Sequence, residues 1–224
     1  MSQHFARLVT ALSLSVASLA ASAVPIAGLV DTGIGAAAGQ QDTNYVFAIT
    51  SGSATSNGFS YVTADGGFPV NGAWMVNDSV SKWLTPSTTQ GQSYDTTVAA
   101  GVYTWTLSFD LTGEDAGSAS FAARWMSDNS SSVYLNGHLL GSTPTSNASF
   151  SSWTDMGTVS SGFVAGVNTL TFVVDNNLAP APNPTGLRVE FSASNVSPVP
   201  EPTSYALMLA GLLAVGSVVR RRRR

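Results

Sequence analysis

Between Val102 and Leu111 apolar and polar residues alternate without a break. Tyr103, Trp105, Leu107, Phe109 and Leu111 are separated by Thr104, Thr106, Ser108 and Asp110. A period of two aims every second side chain at one face of an extended chain, so the stretch reads as a strand with one buried and one wet face. A helix would scatter the same residues around its circumference. The pattern returns at Ala119, Phe121, Ala123 and Trp125, and again at Leu170, Phe172 and Val174. It recurs at Leu187, Val189 and Phe191, where Arg188 and Glu190 are predicted to face outward. Asn136-Gly137, between Val133–Leu135 and His138–Leu140, supplies the two positive φ angles of a type I′ hairpin turn. Further short strands are predicted at 45–50, 59–63, 73–76, 81–85, 93–98 and 153–158.

That makes about ten strands divided by Gly, Ser, Asn and Pro turns, with no long amphipathic helix between them. The fold class is all-β, an antiparallel β-sandwich or jelly roll. No internal repeat is visible, which disfavours a propeller or β-helix. Pro180, Pro182 and Pro184 mark 178–184 as an exposed loop rather than a strand.

Charge is distributed unevenly along the 224 residues. Of nine basic residues, Arg7 stands near the start and Arg220, Arg221, Arg222, Arg223 and Arg224 end the chain. Only Lys82, Arg124 and Arg188 lie between 24 and 199, against twelve acids, a net of 3 − 12 = −9. Such a domain repels phosphate backbones, so no nucleic-acid partner is predicted. Cysteine is absent, which removes disulfides, thiol catalysis and cysteine metal sites. His4 and His138 are the two histidines, too few for a multi-histidine metal centre.

The ends read as targeting signals. His4 and Arg7 precede an apolar run from Leu8 to Ala20, and small residues Ala21 and Ala23 frame a cut after Ala23. These are the parts of a signal peptide over 1–23, with a short signal helix and signal peptidase as its partner. A loose lead-in segment follows at 24–44, then the sandwich domain at 45–194 and a linker at 195–202 that holds Pro200, Glu201 and Pro202. Residues 203–219 carry no charge and are predicted as a transmembrane helix of about 25 Å, held in the inner membrane by the cytoplasmic cluster Arg220–Arg224. The prolines keep the linker extended and open to an enzyme.

Pro200-Glu201-Pro202, the apolar segment and the terminal arginines together resemble the PEP-CTERM sorting domain, a tail also labelled an ice-binding protein C-terminal domain. The resemblance implies recognition by an exosortase, a membrane protease of Gram-negative bacteria. It also implies transient anchoring in the inner membrane, cleavage near the motif, and delivery to the cell surface or extracellular exopolysaccharide matrix. The middle of the chain is similar to galactose-binding-like jelly rolls. The residues that carry this are Trp83-Leu84-Thr85-Pro86, the Tyr103–Leu111 strand, Trp125 with Asp128-Asn129, the Val133–Gly137 hairpin, Gly162-Phe163 with Gly166, Asn168 and Leu170, and Gly186–Glu190. They are mostly turn and core positions. That fold serves elsewhere as a carbohydrate-binding or adhesion module, and fold alone does not assign the role here.

Sugar sites on sandwiches set exposed aromatic faces beside amides and carboxylates. The candidates are Trp74 with Asn77 and Asp78, Trp83 with Lys82, and Trp125 near Asp128 and Asn129. The competing reading is that these indoles pack the core. Trp105 and Trp153 read as core. His138 adjoins a tight turn without a nucleophile motif, and Glu114-Asp115 are loop neighbours rather than facing carboxylates. No catalytic residue and no metal ligand set is therefore predicted, and the protein reads as non-enzymatic. A structural Ca²⁺ held by Asp110 and the Glu114-Asp115 loop is the one cofactor the sequence raises, without EF-hand spacing. The functional expectation is an exported surface or matrix protein that binds polysaccharide. The alternative is a structural or adhesion component with no defined small ligand, and a glycan hydrolase comes third.

Overall fold

The computed structural model describes residues 22–55, 58–144, 149–199 and 202–223. The signal segment up to Ala21, the motif residues Pro200 and Glu201, and Arg224 lie outside the described residues. Ten strands follow in chain order: β1 (Gln41–Ser51), β2 (Phe59–Val62), β3 (Leu84–Thr85), β4 (Gly101–Asp110), β5 (Glu114–Asp128), β6 (Ser130–Leu135), β7 (His138–Ser142), β8 (Thr154–Val159), β9 (Val167–Asn176) and β10 (Gly186–Pro198). Among the described residues one helix, α1 (Pro202–Arg222), follows the strands.

Every strand pairing is antiparallel, in the order β7-β6-β9-β4-β1-β2-β3-β10-β5-β8. The alternating residues of β4 meet those of β9, with Trp105 opposite Phe172 and Leu107 opposite Leu170. Val189 of β10 lies opposite Trp125 of β5. The two halves of the sheet fold over one another around a single core that joins Trp105, Leu107 and Phe172 to Phe121, Trp125 and Val189. Phe163 bridges the halves, its ring 6.3 Å from Phe109 and 5.8 Å from Phe121. The result is an antiparallel β-sandwich. Asn136 and Gly137 adopt φ of 51° and 81°, the type I′ turn their sequence requires, and Leu135 pairs with His138 across it.

The structure corrects four expectations. Residues 73–76 and 93–98 form no strand, and the strand at 81–85 shrinks to Leu84–Thr85. Residues 64–83 instead fold as an irregular segment against the outer face of β10 and β5, where Val70, Trp74, Trp83 and Met126 make a second small core. This cover explains the second correction. Arg188 and Glu190 do not face solvent; they are 0% and 5% exposed.

The third correction concerns the lead-in, which is not loose. Beyond Leu187, β10 has no strand on one edge, and its backbone groups need partners there. Residues 24–32 supply them: Val24 bridges Val196, Thr32 bonds both ways with Val189, and Asp31 Oδ1 accepts the Phe191 N–H at 2.7 Å.

The fourth concerns the tail. The helix forms, but among the described residues no helix is long and apolar enough to cross a membrane. Arg220, Arg221 and Arg222 are part of α1, and its apolar stretch is diluted by Gly211, Gly216 and Ser217. Its described side chains are exposed along its length.

Candidate functional site

The three tryptophans named as sugar platforms are buried: Trp74 at 3%, Trp83 at 0% and Trp125 at 1%. None offers a ring face to solvent. Trp125 points into the main core from β5 and donates Nε1–H to Ser131 Oγ of β6 at 2.9 Å. Trp74 and Trp83 stack on each other under the covering segment, centroids 4.3 Å apart. Their N–H groups go to Asp128 Oδ2 and to the Met75 carbonyl, each at 2.8 Å. Asn77 holds the segment in shape, with Oδ1 accepting the Trp83 backbone N–H at 2.8 Å and Nδ2 donating to Asp65 Oδ1 at 2.9 Å. Asp128 sits in the same layer, and burial pushes its carboxyl up to about 7 although Trp74 and Asn129 both donate to it.

Asp78 leads to the one polar centre of the outer face that the geometry singles out. Its Oδ2 lies 2.7 Å from Nη2 of the buried Arg188, whose other nitrogens donate to Ser81 Oγ and the Val76 carbonyl. Burial pushes the Asp78 carboxyl up, but the Ser81 and Val80 N–H groups and the Arg188 charge outweigh it and hold the group below its ordinary value. Arg188 also reaches Glu190 Oε1 at 3.2 Å, and Ser81 donates to the same oxygen at 2.8 Å. Glu190 Oε2 accepts both Nε and Nη2 of Arg124, at 2.8 and 2.6 Å. Arg124 and Glu190 are direct cross-strand partners on β5 and β10. A buried arginine is tolerated here because two carboxylates and a carbonyl surround it. Near the same centre burial raises the Asp31 carboxyl, with the Glu190 and Asp78 charges adding to it against the Phe191 N–H.

Above this network lies a cleft of about 450 Å³, walled by Val80, Ala123, Arg124, Trp153, Asp155, Glu190, Phe191 and Ser192. Its volume falls within the ~300–1,000 Å³ of small-molecule sites. The guanidinium of Arg124 lies 4.3 Å from the Trp153 ring centroid and that of Arg188 5.0 Å, so two cations fix the indole. Trp153 is only half-buried, and the Arg124 side chain remains 48% exposed although its Nε and Nη2 are taken. Asp155 Oδ1 is bonded to the Gly157 N–H. The cleft thus joins an aromatic surface, a guanidinium, a carboxylate and a hydroxyl.

Sequence reasoning missed Arg124, Trp153, Asp155 and Glu190 as a group. The available signal was that Arg124 and Arg188 are two of three cations among twelve acids, both at the polar positions of alternating strands. Glu114 and Asp115, read as loop neighbours in a calcium donor set, instead begin β5 and pair with Pro198 and Ser197. Asp110, at the end of β4, accepts the N–H and hydroxyl of Thr112 at Oδ1, which hold its carboxyl low. Asp115 Oδ1 accepts the Gly117 N–H. Among the described residues no group of three or more His, Cys, Asp or Glu is placed to hold a metal ion.

Fold and tail together define an antiparallel β-sandwich protein with a sorting signal. Residues 198–224 match the PEP-CTERM protein-sorting motif, and the tail is such a motif. No curated protein matches the chain. Among solved structures it is similar to a cycloisomaltooligosaccharide glucanotransferase of Paenibacillus sp. in complex with cycloisomaltoheptaose, at 15% identity and a TM-score of 0.29. That match covers 71% of this chain and 18% of the glucanotransferase. It is also similar to a family 35 carbohydrate binding module from an environmental isolate, at 13% identity and a TM-score of 0.31, over 72% of this chain and 97% of the module.

Proposed function

We propose that the protein is exported, trimmed by signal peptidase near Ala23, held at the inner membrane by its tail and released by an exosortase to the cell surface or matrix. We further propose that its sandwich is a galactose-binding-like jelly roll that binds carbohydrate without catalysis. The PEP-CTERM match supports the sorting half. The observation that carries the binding half is the cleft at Trp153, in which a partly buried indole stands beside Arg124 and Asp155. A flat apolar ring takes the C–H face of a sugar, while the flanking charged groups meet its hydroxyls. Glu190 is an anchor rather than an acid or nucleophile, because Arg124, Arg188 and Ser81 occupy its two oxygens. This separates the reading from hydrolysis, which needs two carboxyls free to exchange protons or attack.

The test is a glycan array with the exported, tail-trimmed protein, followed by titration of the best polysaccharide. Saturable binding is expected, weakened at least tenfold by Trp153→Ala with the circular dichroism spectrum unchanged. Binding that survives Trp153→Ala overturns the site. An array without a single bound glycan overturns the binding function in favour of a structural or adhesion role, which the burial of Trp74, Trp83 and Trp125 favours.

A further inference from the structure

Val24 and Val196 face each other in an isolated antiparallel bridge, each N–H donating to the other's carbonyl at 2.8 Å. The other edge of β10 is also occupied here, Ser197 lying opposite Asp115 and Pro198 opposite Glu114. The next residue, Val199, donates its N–H to the Gly113 carbonyl at 2.9 Å. Pro200-Glu201-Pro202 begins at the residue after that. Among the described residues, the last backbone bond of the sandwich is therefore one residue from the sorting motif.

An enzyme that reads an extended peptide needs free backbone edges on it, as in strand addition. At Val196 both edges of β10 are in use, and beyond it Ser197 and Pro198 stay paired along the β5 edge while Val199 bonds the Gly113 carbonyl. The same contacts are poorly secured. Val24 and Val199 are 43% and 52% exposed, so little apolar area holds them. A bulge interrupts the ladder between Asn195 and Ser197. Glu114 Oε2, on the residue opposite Pro198, is buried with no hydrogen-bond partner, which leaves a desolvation cost at this end of the ladder. These are the marks of a segment that opens locally while the rest stays folded.

We propose that the end of β10, with Val24 and the Leu111–Glu114 turn, is a latch that must open before the sorting enzyme can engage the motif. Tail removal then proceeds at a rate set by this opening. The inference rests on the sorting reading above, and it adds that the folded sandwich, not the motif alone, sets the rate of release. It also couples the two ends of the exported chain, since the partner of Val196 is the residue that follows the expected signal cleavage.

The test follows conversion of the full-length precursor by pulse-chase in its own host. Six Gly and Ser residues inserted between Val199 and Pro200 move the motif about 20 Å from the latch at ~3.3 Å per residue. Conversion is expected to rise at least threefold. Val24→Cys with Val196→Cys closes the latch covalently. Hydrogen-bonded antiparallel partners have Cα atoms about 5.5 Å apart, within disulfide range, and the chain has no other cysteine. Conversion is expected to fall at least threefold, to recover with reductant, and to recover when the insertion is added to the cysteine pair. An insertion that leaves the rate unchanged or lowers it, or a cross-link without effect, overturns the latch while sorting stands. A wild-type chain that never loses its tail overturns the sorting reading, and the latch with it.

Discussion

Trp74 donates its indole N–H to Oδ2 of Asp128 across 2.8 Å, and this bond ties the covering segment to the end of β5. Beneath the pair lies Gly186, where a Cβ would come within 2.6 Å of the Trp74 ring and 2.7 Å of the Leu84 carbonyl. Only a residue without a side chain lets the indole close down on β10. The same segment carries Asp78, Ser81 and Val80, so whatever holds it also shapes one wall of the cleft. Stability of the outer face and geometry of the site are thus linked through one buried carboxyl.

That carboxyl sets the first prediction. Burial raises Asp128 from 3.8 to about 7. Below about pH 4 folded and unfolded chains both hold the proton. Between about 4 and 7 only the folded chain holds it, so stability falls as pH rises, and above about 7 neither holds it. Three pH units at about 1.4 kcal/mol each put the loss near 4 kcal/mol, to order of magnitude. Asp128→Asn cannot titrate. Its urea midpoint should lack the decline between pH 4 and 7 expected of the wild type, and parallel pH profiles for the two proteins would show that the carboxyl does not set the pH dependence.

The Arg188–Glu190–Arg124 chain gives the second. Arg188 is wholly buried, and its removal leaves Glu190 short of one buried cation and Val76 O and Ser81 Oγ without their donor. Arg188→Ala should cost about 3–5 kcal/mol. Arg124 has a half-exposed side chain, and Glu190 keeps Arg188 when it is removed. Arg124→Ala should cost about 1 kcal/mol or less. Chemical denaturation of both variants checks the ranking, and equal losses would mean that the network is not graded by burial.

What the sequence disclosed depended on how far apart the cooperating residues lie. The β4 alternation, the Asn136-Gly137 turn and the tail are local patterns, and each is read from about ten to twenty adjacent residues. The covering segment is not local. Trp74 meets Asp128 across 54 positions, and Ser81 meets Glu190 across 109, through a stretch with no period. Without that cover, Arg188 and Glu190 follow an alternating pattern that correctly marks one face as polar and wrongly leaves it wet. For the same reason Trp74 and Trp83, buried under that cover, read from sequence as sugar platforms. Trp153 reads as core, and it does pack against the small core of Val70, Trp74, Trp83 and Met126, but it keeps a partly exposed edge beside two guanidinium groups placed by other strands. The site was illegible because its members come from β5, β10, the covering segment and the start of β8, and nothing in their spacing announces that they meet.

The last prediction concerns the strand from which the fold was first read. Trp105 is fully buried in β4, between Phe47 of β1 and Phe172 of β9, its ring centroid 4.8 Å from that of Phe47. Its Nε1–H donates to Ser60 Oγ of β2 at 3.0 Å. Trp105→Ala opens a cavity in a core shared by both halves of the sandwich and leaves the buried Ser60 hydroxyl without its donor. The expected cost is about 3–5 kcal/mol, a large part of an ordinary domain's ~5–15 kcal/mol. Trp105→Phe separates the two contributions. It keeps most of the ring volume and removes only the N–H, so it should recover more than half of the loss. Urea unfolding of the tail-trimmed protein reads both. A Trp105→Ala midpoint equal to wild type would mean that this face of β4 does not carry the core. A Trp105→Phe midpoint as low as that of Trp105→Ala would place the weight on the hydrogen bond to Ser60 rather than on packing.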